Sequence, residues 1–86
     1  MNPKKMYLVH WNKGFGEAFE SIVKARKIAL VHYRDRPIEI TDFDGKVIGA
    51  VLYKYGYPIY ITKKNGKAVA YRLSNNGKLG SKIDGY

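Results

Sequence analysis

Ile38-Glu39-Ile40-Thr41-Asp42-Phe43-Asp44-Gly45-Lys46-Val47-Ile48-Gly49-Ala50-Val51-Leu52-Tyr53 is the stretch on which the fold turns. Side chains alternate with period two on both sides of Asp44-Gly45, a favoured two-residue hairpin turn. A register through that turn pairs Ile40 with Gly49 and Ile38 with Val51. Ile38, Ile40, Val47 and Val51 then share one face, and Ile48, Ala50 and Leu52 share the other with Glu39 and Thr41. A strand that is apolar on both sides is usually central in its sheet. One helix covers a single face, so the second face calls for a half-barrel or for another chain, and a homodimer is one solution.

Upstream, Pro37 ends whatever precedes it, because the residue before a proline is driven out of helical geometry. Residues Phe15 to Tyr33 carry helical periodicity, with Phe15, Ala18, Phe19, Ile22, Val23, Ala29, Leu30 and Tyr33 in one arc. Glu17 and Glu20 early and Arg34 late suit the helix dipole. Asn12 is a candidate cap, although Gly14 and Gly16 weaken the first turn. A rival parse ends the helix near Lys27 and makes 28–33 a strand; with no glycine, proline or asparagine between them, one helix is favoured. Arg26 falls within the apolar arc. Its stem is read as snorkelling at the helix edge, the other option being burial beside Glu39 or Asp42. Before the helix, Met6 to Trp11 alternates as a first strand.

Downstream, Gly56 and Pro58 read as a connection. Ile59 to Lys63 then pairs with Ala68 to Leu73 across Asn65-Gly66, a second strong hairpin turn. Tyr60 faces Tyr71, Thr62 faces Val69, Ile61 faces Ala70 and Ile59 faces Arg72. The small Ala68 and Ala70 suggest where a helix would lie close, which places Tyr60 and Tyr71 on the face away from it. Tyr55 and Tyr57 are read as loop residues covering the sheet edge. Lys78 to Asp84 adds a short C-terminal strand. The predicted fold is a single small α+β domain over 1–86: an N-terminal strand, one long helix, then two consecutive β-hairpins forming an antiparallel sheet, with a basic tail at 1–5 and a loose end at 85–86.

The chain has 86 residues, no cysteine and a net charge of +9. Its length allows one core, burying about 60% of the unfolded chain's surface. The lack of cysteine removes disulfides, thiolate zinc sites and cysteine nucleophiles, and fits a cytoplasmic location. No stretch approaches the ~20 apolar residues of a membrane span. His10 and His32 have no carboxylate at ligand spacing, and Asp42-Phe43-Asp44-Gly45 lacks the downstream glutamate of a calcium loop, so no metal or cofactor is expected. Residues 1–36 carry +5, residues 37–50 carry −2 and residues 51–86 carry +6. Such a field attracts polyanions.

The charge meets aromatic residues in the third segment. Lys54, Lys63, Lys64, Lys67 and Arg72 surround strands bearing Tyr60 and Tyr71, a combination suited to phosphates and stackable bases. These seven residues form the expected interface of a small, basic, non-enzymatic nucleic-acid-binding protein, for DNA or RNA. Lys13 with Gly14-Phe15-Gly16 at a helix entry is a further phosphate candidate. The alternative is an interaction module that engages an acidic partner or self-associates. The third reading is a small ribonuclease using His10 or His32 with Glu17 and Glu20. The layout of one helix on a meander resembles ribonuclease toxins of toxin–antitoxin pairs at the level of fold style, without a shared motif, and fold style does not carry function.

Overall fold

The computed structural model describes residues 6–12 and 15–84. The basic tail, Lys13, Gly14 and the last two residues lie outside them. The elements run β1 (Tyr7–Asn12), β2 (Phe15–Phe19), α1 (Ile22–His32), β3 (Ile38–Thr41), β4 (Val47–Lys54), β5 (Tyr57–Lys64), β6 (Lys67–Leu73) and β7 (Leu79–Ile83). The architecture is α+β, with one helix and a seven-stranded antiparallel sheet of order β2-β1-β3-β4-β5-β6-β7. No helix among the described residues is long and apolar enough to cross a membrane.

The long helix over 15–33 is corrected. Phe15 to Phe19 is a strand lying along β1, with Tyr7 opposite Phe19 and Val9 opposite Glu17. The helix begins at Ile22. Its cap is Ser21 rather than Asn12: the backbone there is extended, and its hydroxyl accepts the Lys24 amide at 3.3 Å. Gly16 belongs to the strand because a Cβ there would press into the carbonyl of Val9. With no helix N-terminus beside Phe15 and Gly16, the phosphate candidate at that entry is lost. The helix does continue through Ile28 to His32, as the one-helix reading requires. Arg34 then donates to the carbonyl of Tyr33 at 2.7 Å, beyond the last turn.

The registers Ile38–Val51, Ile40–Gly49 and Ile59–Arg72 through Thr62–Val69 are as the sequence predicts. The first turn is shifted by one residue. Gly45 donates to the Asp42 carbonyl, so Phe43-Asp44 are the central pair and Gly45 follows in the left-handed region. Asp42 Oδ1 accepts the amides of Asp44 and Lys46, both at 2.9 Å. The extra residue shifts the register after Ile40, so Val47 is exposed rather than inward.

The two consecutive hairpins form one antiparallel sheet as expected, and they join directly as a continuous meander. Tyr55 and Gly56 both have positive φ (60° and 84°), forming a two-residue turn that pairs Lys54 with Tyr57. Pro58 is accommodated because the residue after a turn-flanking pair directs its nitrogen away from the partner strand. Pairing to β6 starts only at Ile59.

The core runs from Val9 on β1 through Ile38, Ile40, Val51 and Tyr60 to Leu73 on β6, with Ala25 and Ala29 of the helix against it. Strands ~4.8 Å apart would spread β1, β3, β4, β5 and β6 over ~19 Å if the sheet were flat, wider than one helix ~10 Å in diameter. The sheet therefore coils about α1. The far end of the wrap is closed by the 74–78 turn: Arg26 Nε donates to the Gly77 carbonyl at 2.8 Å. Gly77 is required twice over, by a φ of 87° and because a Cβ would strike the Val23 carbonyl.

Candidate nucleic-acid interface

Parity along β5 assigns each tyrosine to a side. Val51 lies opposite Tyr60. Tyr60 therefore shares the helix side with Val51, Ile38, Ile40 and Val9. This overturns the expected face: Tyr60 is 2% exposed, lies in the core and offers no ring to a ligand. Its ring occupies the space over Gly49, where a Cβ would collide with it. Tyr71 is half-buried beside it on the same side. Ala68 and Ala70 belong to the opposite, helix-free face, so their small size makes no room for the helix.

Arg26 is also corrected. It is 8% exposed, neither snorkelling nor paired with Glu39 or Asp42. Its guanidinium lies 5.0 Å from the Tyr60 ring centre and donates to Gly77. A carbonyl and a ring face replace the carboxylate that burial was expected to demand. Burial pushes the Tyr60 hydroxyl above its ordinary range, with Arg26 pulling the other way and Tyr7 adding to the rise.

The helix-free face carries a different set. Arg72 stacks on Tyr57, its guanidinium carbon 4.1 Å from the ring centre. Tyr55 tilts against Tyr57 with centroids 6.2 Å apart, and Lys54 Nζ sits 5.3 Å from the Tyr55 ring. Lys54, Tyr57 and Arg72 project from β4, β5 and β6 on one side, where long side chains reach diagonally. Tyr55 is 62% exposed at the turn. Of the seven expected interface residues, Lys54 and Arg72 are brought together; Lys63, Lys64 and Lys67 are exposed around the Asn65-Gly66 turn at the other end of the hairpin. Tyr55 and Tyr57 do more than cover an edge, contrary to the expectation for them. The sequence holds the signal: Ile59 faces Arg72, and Tyr57 is two residues earlier on the same side.

Strand order also sorts charge. Glu17, Glu39, Asp42 and Asp44 belong to β2, β3 and the β3–β4 turn, on one half of the sheet. The other half, residues 57–83, holds Lys63, Lys64, Lys67, Arg72, Lys78 and Lys82 and no carboxylate. The helix packs mainly against β1, β2, β3 and β4 and meets this basic half through Arg26 and the 74–78 turn, while Lys63, Lys64, Lys67, Arg72, Lys78 and Lys82 stay exposed. Among the described residues, no carboxylate pairs with Arg72, Lys63, Lys64 or Lys67, and no acceptor hydrogen-bonds the Arg72 guanidinium.

Between the two ends the helix-free face is apolar. Val47, Ile48, Ala50, Ile61 and Ala68 line a shallow depression of about 380 Å³, with Lys46 and Lys63 among its lining. The histidines lie on opposite sides of the sheet. His10 Nε2 is 2.8 Å from Thr41 Oγ1 on the helix-free face, whereas His32 stacks on Trp11 at 4.1 Å beside the helix. They form no acid–base pair. Among the described residues, no group of three or more His, Asp or Glu is placed to hold a metal ion.

Comparison with protein-family models, curated proteins and solved structures finds no match for this chain.

Proposed function

We propose that this chain is a small basic nucleic-acid-binding protein that contacts phosphates through the β5–β7 half of its sheet. The observation that carries the reading is the sorting of charge by strand order: six exposed cations over 57–83, against a single carboxylate, Asp84, just after β7. A concentrated patch attracts a polyanion more strongly than the same charge dispersed among acidic residues. Lys63, Lys64 and Lys67 reach phosphates from the hairpin tip, and Lys54 and Arg72 from the opposite end. His10 and His32 lie on opposite sides of the sheet, away from these cations, which favours a binding protein over the nuclease reading.

The test is a titration of labelled DNA and RNA, single- and double-stranded, at several salt concentrations. With four phosphates neutralised, affinity falls on the order of 100-fold for a fourfold rise in salt. Replacing Lys63 and Lys67 by Gln lowers the salt slope by about 1 for each lysine that neutralises a phosphate. Absence of binding to every nucleic acid at low salt refutes the proposal.

A second reading, self-association or docking of an acidic partner, is favoured by the apolar depression at Ile48, Ala50 and Ile61 with Lys46 and Lys63 beside it. It predicts a stable dimer by sedimentation that is indifferent to nucleic acid. A monomer at all concentrations removes the self-associating form.

A further inference from the structure

We infer that the Tyr55–Tyr57–Arg72 cluster is a base-stacking site that selects single-stranded nucleic acid. The inference rests on the nucleic-acid reading above and adds the class of strand.

Arg72 is already ordered by Tyr57: its guanidinium carbon is held 4.1 Å from the ring centre, and no acceptor among the described residues occupies its donors. The guanidinium lies over the Tyr57 ring on an exposed side chain, and its N–H groups are left to a partner. Guanidinium planes and tyrosine rings are the surfaces on which unstacked bases settle, while the donors of the same group suit a phosphate or a base edge.

The backbone points the same way. Tyr55 stands at φ 60°, the left-handed region, at the first central position of its turn. Asparagine, aspartate and glycine suit that position, and a bulky side chain there is strained. The Asn65-Gly66 turn of the neighbouring hairpin uses the favoured residue at the same geometry (φ 54°). One protein thus solves one turn twice, once with the comfortable residue and once with a ring. The ring is 62% exposed, so the fold gains no core packing from it. Strain that gains only surface contacts with Tyr57 and Lys54 points to a side chain kept for a ligand.

A duplex is the poorer partner for such a cluster. Its base faces are stacked on one another and unavailable to rings on a sheet surface. A duplex would use only the cations and leave Tyr55 and Tyr57 idle. An unpaired strand offers base faces to the rings and phosphates to Lys54 and Arg72 together.

The experiment compares three probes of equal length at one salt concentration: a labelled single strand, its blunt duplex, and an abasic single strand that keeps the phosphates without the bases. The single strand binds ~10-fold or more tighter than the abasic strand, as expected for stacking of one base. It also binds tighter than the duplex. Tyr55→Asn keeps the turn and removes the ring, and it brings the single strand toward the abasic level. Tyr55→Phe retains wild-type affinity. Equal binding of all three probes, or indifference to Tyr55→Asn, overturns the stacking site while leaving phosphate binding in place. No binding of any probe overturns the nucleic-acid reading as well.

Discussion

Two arginine–tyrosine pairs lie on opposite faces of strand β5, three residues apart. Arg26 over Tyr60 is sealed in the core; Arg72 over Tyr57 faces outward. The chemistry is the same and the surroundings decide what it does. Inside, the guanidinium is held by a carbonyl, its charge is desolvated, and the pair ties the helix to the 74–78 turn. Outside, the guanidinium is held only by a ring and its donors stay available. Under the proposed function the inner pair serves stability and the outer pair serves binding, a division that single substitutions can break.

The largest effect falls on the inner pair. Arg26→Ala removes a charged hydrogen bond, strands the Gly77 carbonyl and leaves a void under Tyr60. Urea denaturation should register a loss of about 3 kcal/mol. Arg72→Ala, its counterpart, should change stability by less than about 0.5 kcal/mol, as exposed substitutions do. It should weaken nucleic-acid binding roughly tenfold, because the guanidinium no longer meets a phosphate or a base. Equal destabilisation by both changes would abolish the contrast.

Gly77→Ala probes the inner pair from its other end. A left-handed φ costs a residue with a Cβ about 1–2 kcal/mol, and collision with the Val23 carbonyl adds to that. The expected loss of about 2 kcal/mol should shrink in the Arg26→Ala background, where the turn is no longer held against the helix. Full additivity in the double mutant would show that the turn and the arginine act separately.

The contrast between the pairs is only half legible in the sequence. Pairings within each hairpin follow from Asn65-Gly66 and from the alternation of Ile38 to Leu52, because register depends on turn geometry and side-chain period. The joint between the hairpins does not follow. Gly56 and Pro58 read as breakers, and without the Tyr55-Gly56 turn nothing relates the parity of β4 to that of β5. Both faces of β5 are apolar near its middle, so composition cannot choose between them. Once Val51 is opposite Tyr60, the choice is forced. Residues 15–19 are ambiguous for a similar reason: Phe15, Ala18 and Phe19 satisfy a helical arc, whereas the chain pairs this stretch along β1, with Gly16 close against Val9, and starts the helix after Ser21.

Tyr55→Asn sharpens the outer side in the opposite direction to a core mutation. It relieves a strained left-handed tyrosine and should raise stability by about 1 kcal/mol while lowering affinity for single strands. A variant that loses both stability and affinity would mean that the ring supports the turn.

The smallest effect at neutral pH is that of Tyr60→Phe, and its diagnostic value lies at alkaline pH. Burial raises the folded Tyr60 above its ordinary value, so the unfolded chain gives up this proton first as pH rises. Above about pH 10 the unfolded state holds fewer protons at this site than the native state, and stability falls with pH. Below that value both states keep the proton and the site contributes no slope. The loss reaches at most about 1.4 kcal/mol per pH unit and ends once the folded hydroxyl ionises too. Phenylalanine has no proton to lose. The wild-type and variant stabilities should therefore run parallel through neutral pH and converge or cross above pH ~10. Curves that stay parallel to high pH would mean that the Tyr60 hydroxyl is as free to ionise folded as unfolded, and the inner pair would not be sealed in the core.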